Sequence, residues 1–154
     1  MMTENLFGIM LQNRRNLHTI LTETPKEKLL QIPEGFNNNV YWNIAHTVAT
    51  QQLLIYKLSG LQMRIPNELV AKFAKGTVPD GTATEEEMMM VADFLISTAE
   101  WLIEDYDTSL FQTFNEYTTS ARVTLKNVDD AIVFNLLHEG LHLGQISLLL
   151  KQLA

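Results

Sequence analysis

Two histidines near the C-terminus constrain the fold of this chain more than any other feature. His138 and His142 are four residues apart, so on a helix they share one face about one turn apart and can reach a single metal ion. With Glu139 between them, they match H-E-x-x-H, a helical zinc motif in which the glutamate acts as general base. Three interpretations are open: a metalloprotease, a different metal site, and a pair of buried histidines.

The segment lies in a stretch that is otherwise very apolar. Asn135, His138, His142 and Gln145 are spaced three, four and three residues apart, and this spacing predicts one polar stripe along the last helix. Burying such groups without partners costs about 1–3 kcal/mol each. The stripe therefore needs partners, from other helices or from a ligand.

Composition sets the broad class. The chain has 154 residues, of which 46% are hydrophobic and 19% charged, which predicts a single globular domain over residues 1–154. The net charge is −7 and there is no basic cluster, so we expect no nucleic-acid partner. The absence of cysteine excludes thiolate metal sites and fits a reducing compartment. With no signal peptide and no long apolar run, we expect a cytoplasmic protein without membrane contact.

Hydrophobic spacing and capping residues predict four long helices, over residues 3–21, 40–59, 85–106 and 128–152. Asn39 and Asn127 are typical caps, and Thr24 and Thr84 begin sequences typical of capping boxes. Short helices are predicted near 25–31 and 67–74. The long connections over 60–84 and 107–127 favour an all-α four-helix bundle with crossovers instead of tight hairpins.

A third histidine falls on the predicted buried face of the second long helix. His46 follows Trp42 by one turn and is flanked by Ala45 and Ala49, small residues that leave space around its ring. His18, beside the apolar stripe of the first helix, is predicted to be partly exposed and not a ligand.

The remaining sequence weighs against a protease. Only 12 residues follow His142, and none is His, Asp or Glu. The longer H-E-x-x-H-x-x-G-x-x-H pattern also fails, because Gly144 is one position early and no histidine follows. Taking the third ligand from His46 gives three neutral imidazoles on two helices, which leave positions open on a divalent metal.

The motif Trp42-Asn43-Ile44-Ala45-His46, paired with the segment from His138 to Gln145, resembles the DinB-like (YfiT-type) proteins over nearly the whole chain. The resemblance implies a four-helix bundle with a long crossover, usually a homodimer. It also implies a zinc or nickel site held by His46, His138 and His142.

Members of that family include enzymes that transfer a low-molecular-weight thiol to an electrophile. The resemblance thus implies a small-molecule substrate such as this thiol, and a metal-dependent S-transferase or, less favoured, a hydrolase. The alternative is a metal-containing dimeric module that binds a small ligand without turnover. Glu139 is the one candidate catalytic residue; on the helix it would orient a water, make a hydrogen bond behind a ligand, or face solvent.

Overall fold

Four long helices form the framework of the structure, a computed structural model in which residues 2–154 are described. They are α1 (Met2–Glu23), α3 (Val40–Gln51), α5 (Glu85–Asp107) and α6 (Val128–Gln152), with the short helices α2 (Lys26–Leu30) and α4 (Asn67–Phe73) in the connections. The predicted all-α class is confirmed. Among the described residues, no helix is long and apolar enough to cross a membrane.

Side-chain caps fix where the long helices begin. Each accepts the backbone N–H of the residue three positions later, at 2.7 to 3.0 Å, and they are Asn39, Thr84 and Asn127. The capping box predicted at Thr24 is wrong. Helix α2 begins only at Lys26, with Pro25 at the cap position and no side-chain cap bond, so the Thr24 hydroxyl lies one residue too early.

The second long helix does not stay α-helical to residue 59 as predicted. After Gln51 it continues as a π-helical segment, Gln52–Lys57, and the chain then turns at Gly60, whose φ is +72°. The wider turn changes the angular spacing of the side chains. As a result, Leu53 and Leu54 both face the same cavity.

The connection over residues 108–127 forms a small cover over one end of the bundle. Strands β1 (Tyr117–Thr118) and β2 (Thr124–Leu125) pair antiparallel, with Tyr117 opposite Leu125. Leu125 is 1% exposed and packs into the core. The hairpin is therefore tied to the bundle by its second strand, while its first strand stays exposed.

The core is divided by a polar layer. One apolar cluster contains Leu17 of α1 and Leu95 of α5, and the other contains Met10 of α1 and Leu102 of α5. Between the clusters each long helix contributes a fully buried polar side chain: Arg14, Gln51, Thr98 and Glu139. The histidines lie at this level of the bundle, beside the polar layer.

Candidate metal centre

The three predicted histidines converge on one point. Nitrogen atoms of His46, His138 and His142 all lie within 4.8 Å of one another, and the Nε2 atoms of His46 and His138 are 3.2 Å apart. Two nitrogens bound to one tetrahedral ion at about 2.1 Å are roughly 3.4 Å apart. The cluster can therefore hold a metal ion after small side-chain shifts.

Hydrogen bonds fix the tautomers of two of these rings. Nδ1 of His46 lies 2.7 Å from the carbonyl oxygen of Phe73, which can only accept, so Nδ1–H is the donor. Nδ1 of His142 lies 2.7 Å from Oδ1 of Asn43, whose Nδ2 donates to the Asn39 carbonyl. Both rings consequently present an unprotonated Nε2 to the shared point, as metal ligands do.

Burial keeps the cluster neutral. Desolvation lowers the pKa of His138 to about 3, helped by the nearby His142, His46 and Arg14. It also lowers the pKa of His142 to about 4, with a smaller contribution from His46. The pKa of His46 is lowered by burial too, against the opposing effect of its bond to Phe73. At neutral pH all three rings are therefore uncharged, and each keeps one nitrogen free of a proton to bind a cation.

Trp42 holds the His46 ring from one side. Their ring centroids are 4.5 Å apart and the planes differ by 12°, a stacked arrangement. The indole N–H donates to the Thr77 hydroxyl at 3.0 Å, which fixes the tryptophan in turn. The Thr50 hydroxyl lies 3.4 Å from Nε2 of the same histidine.

Glu139 does not join the histidines. It is fully buried, and its Oε1 accepts hydrogen bonds from Arg14 Nε at 2.8 Å and from Asn135 Nδ2 at 3.0 Å. Arg14, also fully buried, donates to the Leu95 carbonyl and the Thr98 hydroxyl. The alternative in which Glu139 faces solvent is wrong. The carboxylate belongs to the polar layer that joins α1, α5 and α6.

A cavity of about 640 Å³ opens beside the cluster. All three histidines line it, together with Trp42 and Thr50. The rest of its surface is largely apolar, from Leu53, Leu54 and Leu58 after α3, Phe134 of α6 and Tyr117 of the hairpin. Five polar or charged residues complete the lining: Asn38, Lys57, Lys75, Thr119 and Ser120. A metal held by the histidines would therefore face a space large enough for a small organic molecule.

Comparison with protein families agrees with this geometry. The model of the DinB superfamily matches residues 10–146, a span that contains every histidine of the cluster. The chain belongs to the DinB superfamily. No curated protein matches it. The predicted resemblance is thus confirmed at the level of the superfamily, and the helical bundle is consistent with that assignment.

The sequence analysis did not predict the residues that support the histidines of this DinB-superfamily chain: Asn43, which accepts from His142, and Arg14, which pairs with Glu139. Asn43 precedes His46 by three positions, so helical spacing alone puts both on one face. Arg14 lies four residues after Met10 and three before Leu17, within the apolar stripe of α1. Both signals are present in the sequence. The Phe73 carbonyl gives no such signal, because any residue there would supply it.

Proposed function

We propose that this protein binds a divalent metal, zinc or nickel, and transfers a low-molecular-weight thiol to a small electrophile. The observation that carries the proposal is the convergence of three neutral imidazoles beside a mostly apolar cavity. Three protein ligands with an open position are typical of catalytic zinc sites, whereas structural sites use four. Superfamily membership supports a metal site of this kind.

A bound divalent ion lowers the pKa of a thiol or water ligand and so supplies a nucleophile at neutral pH. In thiol transfer the thiol releases its proton to solvent and its sulfur forms a bond to the electrophilic carbon. With an alkyl halide the halide leaves with the electron pair of its bond to that carbon; with an epoxide the ring oxygen keeps that pair and takes a proton from solvent. The chain's own residues would orient the ligands, through Phe73 and Asn43, and shield the reacting groups from water with Trp42 and the leucines.

Peptide hydrolysis has less support than thiol transfer. In the H-E-x-x-H mechanism the glutamate must reach a metal-bound water. Here Glu139 is paired with Arg14 inside the bundle and is absent from the described residues that line the cavity. A catalytic role for Glu139 accordingly forms no part of the proposal.

The second candidate is a dimeric module that binds a metal and a small ligand without turnover. An exposed apolar stripe on α6 favours a homodimer: Val133, Leu137, Leu141 and Leu148 are 47 to 63% exposed and recur at helical spacing. We propose this stripe as the dimer face. The cytoplasmic location and the absence of nucleic-acid and membrane partners stay predictions from the sequence.

The test is turnover of metal-loaded protein against a panel of small thiols, each combined with alkyl-halide and epoxide acceptors. We expect consumption of the acceptor that stops on chelation and in His138→Ala, while His18→Ala, a histidine outside the cluster, keeps it. Metal-dependent peptide cleavage would refute the proposal in favour of a hydrolase. Stoichiometric binding of a thiol without turnover would favour the binding module.

A further inference from the structure

Two lysines, Lys57 and Lys75, line the cavity that adjoins the histidines. Helices α3 and α6 run antiparallel past each other, since His142 contacts Asn43 and His138 contacts His46. Lys75 follows Phe73, whose carbonyl accepts from His46, by two residues. Lys57 lies 11 residues after His46 and so roughly 15 Å further along the same helical stretch.

Apart from Thr50, the residues of this helical stretch that line the cavity between His46 and Lys57 are leucines; we call this part of the cavity its apolar arm. Leu53, Leu54 and Leu58 form one side of this arm of the cavity, and Phe134 forms part of the other. A ligand that buries its hydrocarbon part in this arm gains about 25 cal/mol of binding free energy for each Å² of apolar surface removed from water. Its far end would lie within reach of a flexible ammonium group.

The charged residues that line the cavity are all positive. Of the described residues, those that line it include two lysines and no aspartate or glutamate, although the chain as a whole carries a net charge of −7. Neither Lys57 nor Lys75 takes part in an ion pair within the described part of the chain, whereas Lys72 pairs with Glu87 at 2.6 Å.

From this arrangement we propose that the apolar arm takes an amphipathic carboxylate, with its hydrocarbon part against the leucines and its anionic end bound by Lys57. The inference rests on the proposed function, because it names the class of thiol or acceptor that the cavity selects. Lys57 is exposed, so its contribution to affinity is that of a solvent-accessible ion pair, up to about fivefold, and it weakens as salt is added.

A matched pair of thiols tests the proposal. The probes are ω-mercaptooctanoate and ω-mercaptooctanol, which share the thiol and the chain and differ in the terminal charge. Their dissociation constants for the zinc-loaded protein are measured by calorimetric titration at low salt. The wild type should bind the carboxylate up to about fivefold more tightly than the alcohol. Lys57→Glu should abolish or reverse that preference and leave the affinity for the alcohol unchanged.

Two control variants distinguish the effect of a cation at position 57 from the effect of the protein's net charge. Lys57→Arg keeps the cation and should keep the preference, while Lys151→Glu makes the same change of net charge at an exposed position outside the cavity and should also keep it. Equal affinities of the wild type for both probes, or an unchanged preference in Lys57→Glu, would overturn the proposed role of Lys57. Neither result would affect the proposed thiol transfer. If neither thiol bound the zinc-loaded protein, the proposed thiol chemistry would fail as well.

Discussion

Replacing Glu139 with glutamine tests whether this residue stabilises the fold or acts at the metal. The substitution keeps an oxygen that can accept from Arg14 and Asn135, but it removes the negative charge facing a guanidinium that is fully buried. Removing one partner of a buried ion pair costs about 3–5 kcal/mol, because the remaining charge stays buried without compensation. The lower end of that range applies here, since the hydrogen-bond geometry can survive.

A loss of about 3 kcal/mol is a large part of the 5–15 kcal/mol that stabilises a typical domain. For a chain of this size, each kcal/mol lowers Tm by about 2–4 °C, so Glu139→Gln should melt about 6–12 °C below the wild type. Arg14→Met should be destabilised for the same reason. The double variant should be more stable than the sum of the two changes predicts, by about 0.5–3 kcal/mol.

The measurements are denaturant unfolding of the wild type, the two single variants and the double variant, together with a metal titration of each folded protein. We expect the stability differences above and one metal ion for each chain in every variant. A Glu139→Gln protein with wild-type Tm but without metal binding or turnover would refute this reasoning. It would show that the carboxylate acts at the histidine cluster after all.

Other predictions concern the histidines and the dimer face. Asn43→Ala should weaken metal binding by about 10–100-fold, because the His142 ring loses the acceptor that orients it. Asn43→Asp keeps an acceptor oxygen and should retain tight binding. A metal titration of both variants measures the difference. Burial lowers the pKa of His138 to about 3, that of His142 to about 4, and that of His46 below its usual value. Metal affinity should therefore begin to fall at a lower pH than the roughly 6.5 of an ordinary histidine, and steep loss already at about pH 6.5 would contradict the burial of these rings. The same shifts make the apoprotein less stable as pH falls from about 6.5 toward about 4, since the unfolded chain then takes up protons that the folded chain does not. The free energy of unfolding should fall by up to about 1.4 kcal/mol for each pH unit and each histidine. Chemical unfolding of the apoprotein over this range measures the slope. Leu141→Glu should convert the proposed dimer to a monomer in sedimentation velocity, and an unchanged sedimentation coefficient would exclude this face.

The long helices and the histidine cluster could be predicted from the sequence because their signals are local. Apolar spacing and the caps Asn39, Thr84 and Asn127 set the helix starts. The spacing of His138 and His142 places both on one face, and the buried position of His46 follows from its neighbours. Each of these signals spans only a few residues. The meeting of His46 with His138, 92 positions away, depends on how the helices pack. It is predicted because no other ligand follows His142 and because the paired motifs resemble the DinB-like proteins.

The polar layer depends on packing, and its pairings lie beyond local signals. Arg14 and Glu139 are 125 positions apart, so helical spacing can place each on a face without showing that they meet. The predicted polar stripe of α6 illustrates the difference. His138 and His142 face the cavity, whereas Asn135 turns to Glu139, because the two sides of the stripe meet different helices.

The π-helical segment was also beyond sequence reasoning. Residues 52–57 contain no proline or glycine to mark an irregular turn, and the apolar pattern continues through them. The wider turn becomes evident only from the backbone, where the Leu58 N–H donates to the Leu53 carbonyl at 3.3 Å. This local change helps to build the apolar arm of the cavity.

The central claim is that His46, His138 and His142 together form one metal site. The most direct measurement is a zinc titration of the apoprotein and of the four single histidine-to-alanine variants, with bound metal determined after dialysis. We predict one tightly bound ion for each chain in the wild type and in His18→Ala, and loss of tight binding in each of the other three. Tight binding that survives in His46→Ala, or that disappears in His18→Ala, would contradict the account.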